Sequence, residues 1–143
     1  MIHIEHADMF DIAALHSPVS ITHGVNCKGV MGAGVAKQIR SRYPRAYESY
    51  RRLCLSQGDT LLGKVQVVRI PDTTTAVVNC FTQVNLGADA RLNAVETCLS
   101  KLVSYDNSTV IMPLIGAGIG GLNPNDVIRF MQTLPDRFIL VTQ

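Results

Sequence analysis

The chain has 143 residues, 47% hydrophobic and 17% charged, with a net charge of +2. That is enough for one domain, residues 1–143, with a buried core, and it excludes a disordered chain. No apolar run approaches the roughly 20 residues of a membrane helix, so no membrane partner is expected, and the near-neutral total argues against nucleic acid.

The amino-terminal stretch Met1-Ile2-His3-Ile4-Glu5-His6 lacks a signal-peptide pattern, and the expected location is the cytoplasm. Ile2 and Ile4 alternate with polar residues as in a short strand. A turn at Ala7-Asp8 leads into a brief helical segment ending near His16, and Pro18 breaks it. Val19–Thr22 reads as a second strand, closed by His23-Gly24-Val25-Asn26-Cys27. After Gly29-Val30-Met31-Gly32-Ala33-Gly34 comes a helix with Val35, Ala36, Ile39 and Tyr43 on one face. Pro44 ends it or starts the next, because the residue before proline disfavours the α region. Helix resumes from Ala46 to Ser56 and closes at Gly58.

Lys64–Ile70 and Thr75–Phe81, rich in β-branched residues and separated by Pro71-Asp72-Thr73-Thr74, read as a hairpin. Ala88–Tyr105 is the clearest helix, with Leu92, Val95, Leu99 and Leu102 at intervals of three and four. Thr109–Ile115 is a strand leading into Gly116-Ala117-Gly118-Ile119-Gly120-Gly121. Asn123 then serves as N-cap, with Pro124 at the first helical position, for a helix to Leu134. Phe138–Val141 is the last strand. About six strands alternating with about four helices imply an α/β fold, its sheet sandwiched between helices in three α/β/α layers. The hairpin makes the sheet mixed.

The two glycine-rich turns each follow a strand and lead toward a helix. Glycine lets backbone amides approach a ligand closely, and a helix start adds unpaired N–H groups and partial positive charge. Strand, glycine turn and helix together make a phosphate-binding device. Two of them suit a diphosphate, or a phosphate flanked by sugars; the plainer alternative is that both turns only cap helices. The first turn runs G-x-x-G-x-G, and the nearest acid, Glu48, falls within a helix, so it is not the dinucleotide fingerprint. Gly58–Lys64 has P-loop spacing, but Val65 replaces the required Ser/Thr and a strand follows.

The four cysteines, Cys27, Cys54, Cys80 and Cys98, lie at least 18 residues apart, so there is no C-x-x-C pair, and their apolar surroundings suit a reducing compartment. No spacing suggests a metal site, and no cofactor is implied. The basic residues Lys37, Arg40, Arg42, Arg45, Arg51 and Arg52 cluster. They read as a solvated helical face, or as a weak groove for acidic ligands or nucleic acid.

Over nearly its whole length the sequence resembles the macrodomain, an ADP-ribose-binding α/β/α module. The resemblance is most specific at residues 23–36 and at Pro113–Leu122, with Ala7-Asp8-Met9-Phe10 adding an early acidic position. It is most similar to the branch holding the yeast ADP-ribose 1''-phosphate phosphatase, the terminal ADP-ribose protein glycohydrolase and the DNA ADP-ribosyl glycohydrolase antitoxins. A chain this short also resembles bacterial or bacteriophage members, and a viral one would work in the host cytoplasm.

The resemblance implies that Asp8 accepts from the adenine amino group, beside the Met9 amide; the alternative for Asp8 is a turn or helix cap. Val25, Met31, Gly32, Ala33, Gly34 and Val35 would join Thr82, Leu114, Gly116, Ala117, Gly118, Ile119 and Gly120 around the ligand, with Asn26 near the distal ribose. Glycohydrolase members carry a lysine at the position of Gln83 and an aspartate in the second glycine turn, at Gly120. Glutamine cannot form a Schiff base, so lysine-dependent glycohydrolysis is not expected.

The expected function is therefore to bind ADP-ribose and hydrolyse a group from its distal ribose, as an ADP-ribose 1''-phosphate phosphatase. Asn26, His23 and Asp89 are the candidate catalytic residues. His23 has the alternative of a histidine satisfied at a strand end, and Asp89 that of a helix cap. The competing expectations are a non-catalytic ADP-ribose reader, and a glycohydrolase or deacylase working without the lysine. Partners would be ADP-ribose derivatives or ADP-ribosylated macromolecules.

Overall fold

The computed structural model describes residues 2–142. Strands β1 (His3–His6), β2 (Val19–Val25), β3 (Val65–Arg69), β4 (Thr75–Phe81), β5 (Thr109–Met112) and β6 (Phe138–Thr142) form one sheet in the order β1-β6-β5-β2-β4-β3. Every neighbouring pair is parallel except β3 and β4, the expected hairpin, which pair antiparallel from Val65↔Cys80 to Arg69↔Ala76. Helices α1 (Met9–Ala13), α2 (Gly34–Arg42) and α3 (Pro44–Gln57) interleave with α4 (Leu92–Val103) and α5 (Pro124–Met131).

The strand period of two decides which helix each side chain meets. On β5, Val110 and Met112 join Val95, Leu99, Val127 and Met131 of α4 and α5 in one core. Ile111, between them, faces the other way, into a core with Phe10 of α1 and Ile39 of α2. A third cluster, Val25, Met31, Tyr50, Cys54, Leu61 and Phe81, fills the space beneath α3. The sheet is therefore mixed and covered by helices on both faces, an α/β/α sandwich.

Several boundaries differ from the sequence reading: β5 ends at Met112 and not Ile115, α5 at Met131 and not Leu134, α4 at Val103 and not Tyr105, and α1 at Ala13 and not near His16. β2 does not stop at Thr22; it pairs with β4 residue by residue as far as Val25↔Phe81. A short 3-10 turn, Gly58–Leu61, follows α3. The helix expected from Ala88 starts at Leu92, because the preceding amides are drawn elsewhere: Ala90 N donates to Gly120 O and Arg91 N to Thr82 O. Pro44 opens α3, and Tyr43, with φ −130° and ψ 69°, breaks the chain between α2 and α3 as a pre-proline residue should.

Because β2, β4 and β5 run parallel, Val25, Phe81 and Met112 end at the same edge of the sheet. In open α/β sheets that edge is where ligands bind.

Candidate functional site

A cleft of about 550 Å³ opens at that edge, lined by the end of β2, both glycine-rich turns and the segment after β4. The two turns, more than 80 residues apart in sequence, face each other across it. A carbon added at Gly34 would lie 3.8 Å from Cδ1 of Ile119.

The first turn is shaped by side chains. Asn26 Oδ1 accepts from the amides of Lys28 at 2.9 Å and Val30 at 3.5 Å, and Nδ2 donates to Val30 O at 2.9 Å. The Tyr50 hydroxyl, 2.8 Å from both Asn26 O and Asn26 Oδ1, donates to that pair from α3. Burial pushes the Tyr50 pKa up, so the hydroxyl keeps its proton. The turn ends with Gly34 at φ +59°, a conformation that side chains disfavour. Ala33, the N-cap of α2, has no side-chain acceptor. Among the described residues, the amides of Gly32, Ala33, Gly34, Val35 and Ala36 donate to no protein group.

The second turn is shaped by missing side chains. Gly116 sits at φ +82°. A carbon added at Gly120 would stand 2.7 Å from Gly116 O and 2.8 Å from the Ala90 Cβ. The turn closes on itself through Gly121 N→Gly118 O at 3.2 Å and Leu122 N→Gly116 O at 2.9 Å. The amides of Gly118, Ile119 and Gly120 are left without a protein acceptor among the described residues. Both turns thus present main-chain donors to one cleft, the arrangement an anion requires.

The cleft lining includes His23, Val25, Asn26, Gly32, Ala33, Gly34, Val35, Thr82, Leu114, Gly116, Gly118, Ile119 and Gly120. Five expected residues lie outside it. Met31 is fully buried beneath α3, and Met9 packs in the core under α1. Ala117 packs against the core on the α4 and α5 side. Asp8 caps α1, its Oδ1 accepting from the amides of Phe10 at 2.9 Å and Asp11 at 3.2 Å. It follows the carboxyl end of β1, at the sheet edge where the cleft opens.

Asp89 neither lines the cleft nor caps α4, whose N-cap is Arg91. Its Oδ2 accepts from the amides of Asn85 at 2.8 Å and Val84 at 3.0 Å, and the Asn85 bond leads in lowering its pKa. The carboxylate therefore holds the loop after β4, which corrects its expected role as activator of water.

His23 also departs from expectation. Its ring is 1% exposed, and Nε2 donates to Asn79 Oδ1 at 2.6 Å, while Asn79 Nδ2 donates to Gln66 Oε1 at 3.0 Å. A polar row thus crosses β2, β4 and β3. Burial lowers the His23 pKa to about 4, against the upward pull of the Asn79 bond. The ring is neutral near pH 7, its Nε2 proton is committed to Asn79 and its buried Nδ1 has no hydrogen-bond partner among the described residues, so the geometry does not favour the acid/base role near neutrality expected for His23. Among the described residues, the cleft lining holds no other side chain of the histidine or cysteine type.

Gln83, which the resemblance sets at the lysine position, lines the cleft, but both its donors are used: Nε2 donates to Asn85 O at 2.6 Å and Gly87 O at 3.0 Å. The amide shapes the loop and supplies no nucleophile. Cys80 is fully buried, and its bond with Cys98, together with burial, raises its pKa, so it offers no thiolate. Among the described residues, no three His, Cys, Asp or Glu side chains gather as a metal site, and no helix is long and apolar enough to cross a membrane.

A family model described as the Macro domain matches residues 22–131, from within β2 through both glycine-rich turns to the end of α5. The chain belongs to the Macro domain family. It is 32% identical over 127 residues, 82% of its length, to a DNA ADP-ribosyl glycohydrolase of Mycobacterium tuberculosis, and spans 36% of that protein. The solved macrodomain of M. tuberculosis DarG covers the whole chain with a TM-score of 0.82 at 27% identity; 98% of that domain is matched. A 17.5 kDa protein from the tk-vs intergenic region of Enterobacteria phage T4 is 31% identical over 140 residues, 92% of this chain and 90% of that one. An ADP-ribose 1''-phosphate phosphatase of Saccharomyces cerevisiae is 29% identical over 91 residues, 59% of this chain and 51% of the yeast protein. Macro domain relatives of this chain thus include both a phosphatase and glycohydrolases.

A residue of the site that the sequence does not announce is Tyr50. Its hydroxyl fixes Asn26, and no sequence spacing between positions 26 and 50 announces that bond.

Proposed function

We propose that this macrodomain binds ADP-ribose, free or attached to a macromolecule, and that main-chain donors do most of the recognition. One observation carries this reading: two distant turns bring amides without protein acceptors, at Gly32–Ala36 and Gly118–Gly120, to one cleft. A pyrophosphate between them would be met by N–H groups at the start of α2 and by those of the opposite turn. Asn26 donates one Nδ2 hydrogen to Val30 O and keeps the other for a distal ribose hydroxyl. Asp8 remains the proposed acceptor for the adenine amino group, by the family resemblance.

The second reading is hydrolysis of a phosphate on the distal ribose, supported by the names of the relatives and by that remaining Asn26 hydrogen. With the Nε2 proton of His23 given to Asn79 and its pKa lowered by burial, Gln83 tied to its loop and Asp89 outside the cleft, no side chain among the described lining residues is poised to move a proton near neutrality. Any such reaction would rest on positioning water and on the substrate's own phosphate oxygens, and would be slow.

Calorimetry with ADP-ribose, beside incubation with ADP-ribose 1''-phosphate, tests both. Binding without phosphate release fits a binding module. Release that disappears in Asn26→Ala fits the phosphatase reading. No heat of binding at concentrations up to the millimolar range would overturn the first reading.

A further inference from the structure

The cations of this protein are segregated, and the cleft does not use them. Residues 28–57 hold seven of the thirteen Lys and Arg but one of the eleven acids, Glu48, so this segment carries +6 and the rest of the chain −4. Lys28 pairs with Asp59 at 3.0 Å. The other six, Lys37, Arg40 and Arg42 on α2 and Arg45, Arg51 and Arg52 on α3, are exposed, and among the described residues none of them forms an ion pair. None lines the cleft. A merely solvated helix surface ordinarily interleaves acids at spacings of three and four to relieve like-charge repulsion. Here Glu48 alone serves Arg45, Arg51 and Arg52.

Two of the six are held in place. The Arg40 guanidinium lies 4.2 Å over the Tyr47 ring, joining α2 to α3, and that of Arg42 lies 4.0 Å over Phe10. An arginine resting on an aromatic face keeps its N–H edge available for phosphate oxygens. The face also adjoins the cleft. Gly34, Val35 and Ala36 line the cleft and Lys37 follows them, while the stem of Arg51 lies 3.8 Å from a carbon added at Gly29 in the first turn.

We propose that the outer face of α2 and α3 binds the sugar–phosphate backbone of a nucleic acid, beside the cleft and independently of it. The total charge of +2 hides this surface because the fold puts the compensating acids elsewhere. With 14 residues, α3 is about 21 Å long, enough for several consecutive phosphates of one strand. The rings beneath Arg40 and Arg42 are covered, so the contact is made to phosphate without base stacking and carries no sequence preference. ADP-ribose presented on a nucleic acid would engage the face and the cleft together; that link alone rests on the proposed function.

The test is fluorescence anisotropy with a labelled 20-nucleotide DNA, single-stranded and duplex, from 50 to 200 mM salt. About four phosphate contacts would give a log–log salt slope near −3 for the single strand, roughly a 50-fold loss of affinity over that range. The variant Lys37→Glu/Arg45→Glu/Arg52→Glu should lose at least tenfold in DNA affinity and keep its affinity for ADP-ribose; the corresponding Gln triple serves if the Glu triple does not fold. No binding by the wild type at 50 mM salt, a slope near zero, or equal binding by the triple variant would overturn the proposal. Stronger binding to polyglutamate than to DNA would overturn it as well, assigning the face to an acidic protein. DNA binding without ADP-ribose binding would overturn the cleft reading and leave this one standing.

Discussion

The two glycine-rich turns reach the same cleft by opposite means. The first is built on side-chain hydrogen bonds: Asn26 spans it, and Tyr50 anchors Asn26 from a helix behind. The second is built on contact without side chains, Gly116, Gly120 and Gly121 pressing on each other and on Ala88 and Ala90. The first should therefore weaken when an acceptor or donor is removed, and the second when an atom is added. Similar glycine content does not mean similar construction.

The strongest way to sharpen that contrast is acidification, because β2 beneath the first turn carries His23 and β5 beneath the second carries no titratable residue. His23 has a depressed folded pKa of about 4 against 6.5 for the unfolded chain. Its neutral burial is fully tolerated above pH 6.5, and stability falls as pH drops toward 4, where the unfolded chain binds the extra proton. The loss reaches about 3 kcal/mol by linkage. Urea titrations at pH 7 and pH 4.5 should show it, and His23→Gln should flatten the dependence.

Gly118→Glu comes next. Nothing lies within 4 Å of a carbon added at Gly118, so stability should change by less than about 0.5 kcal/mol. A carboxylate placed among the anion-binding amides should nevertheless cost more than about 100-fold in ADP-ribose affinity by calorimetry, over 2.7 kcal/mol. Unchanged binding would remove the second turn from the site. Gly120→Ala should do the reverse: a methyl group against Gly116 O and Ala90 costs about 2 kcal/mol of stability, read as a lower denaturation midpoint. Tyr50→Phe removes a donor without adding an atom and should cost about 1 kcal/mol, with a several-fold loss of ligand affinity. If Tyr50→Phe proved harmless and Gly120→Ala were tolerated, the contrast between the turns would be broken.

Much of the fold was legible in local pattern. The hairpin, the parallel strands around it and the Asn123-Pro124 helix start follow from period, turn residues and capping chemistry, and the structure shows each. What escaped was fixed at long range. Residues 88–91 looked helical because Ala88 and Ala90 suit a helix, but their amides and carbons serve the second turn and the loop after β4. His23 was read as an acid/base candidate from its side-chain chemistry, but the cross-strand bond to Asn79 that satisfies it, the alternative kept for it, comes from a residue 56 positions away. The convergence of the turns could be anticipated from where parallel strands end. The commitments of Asp89 and Gln83 could not, since each depends on the path of a loop that follows no periodic pattern.

The crowding around Gly120 bears on what this position can accept. An aspartate there would bring its β-carbon to 2.7 Å from the Gly116 carbonyl oxygen and 2.8 Å from the Ala90 methyl. Accommodating it would require the backbone at Gly116 and the segment carrying Ala90 to move apart. Gaining a lysine at position 83 would meet a separate obstacle, because the loop that glutamine ties together would come loose. A side chain at 120 and a lysine at 83 are therefore each opposed by contacts that this chain already makes, one in packed atoms and the other in hydrogen bonds.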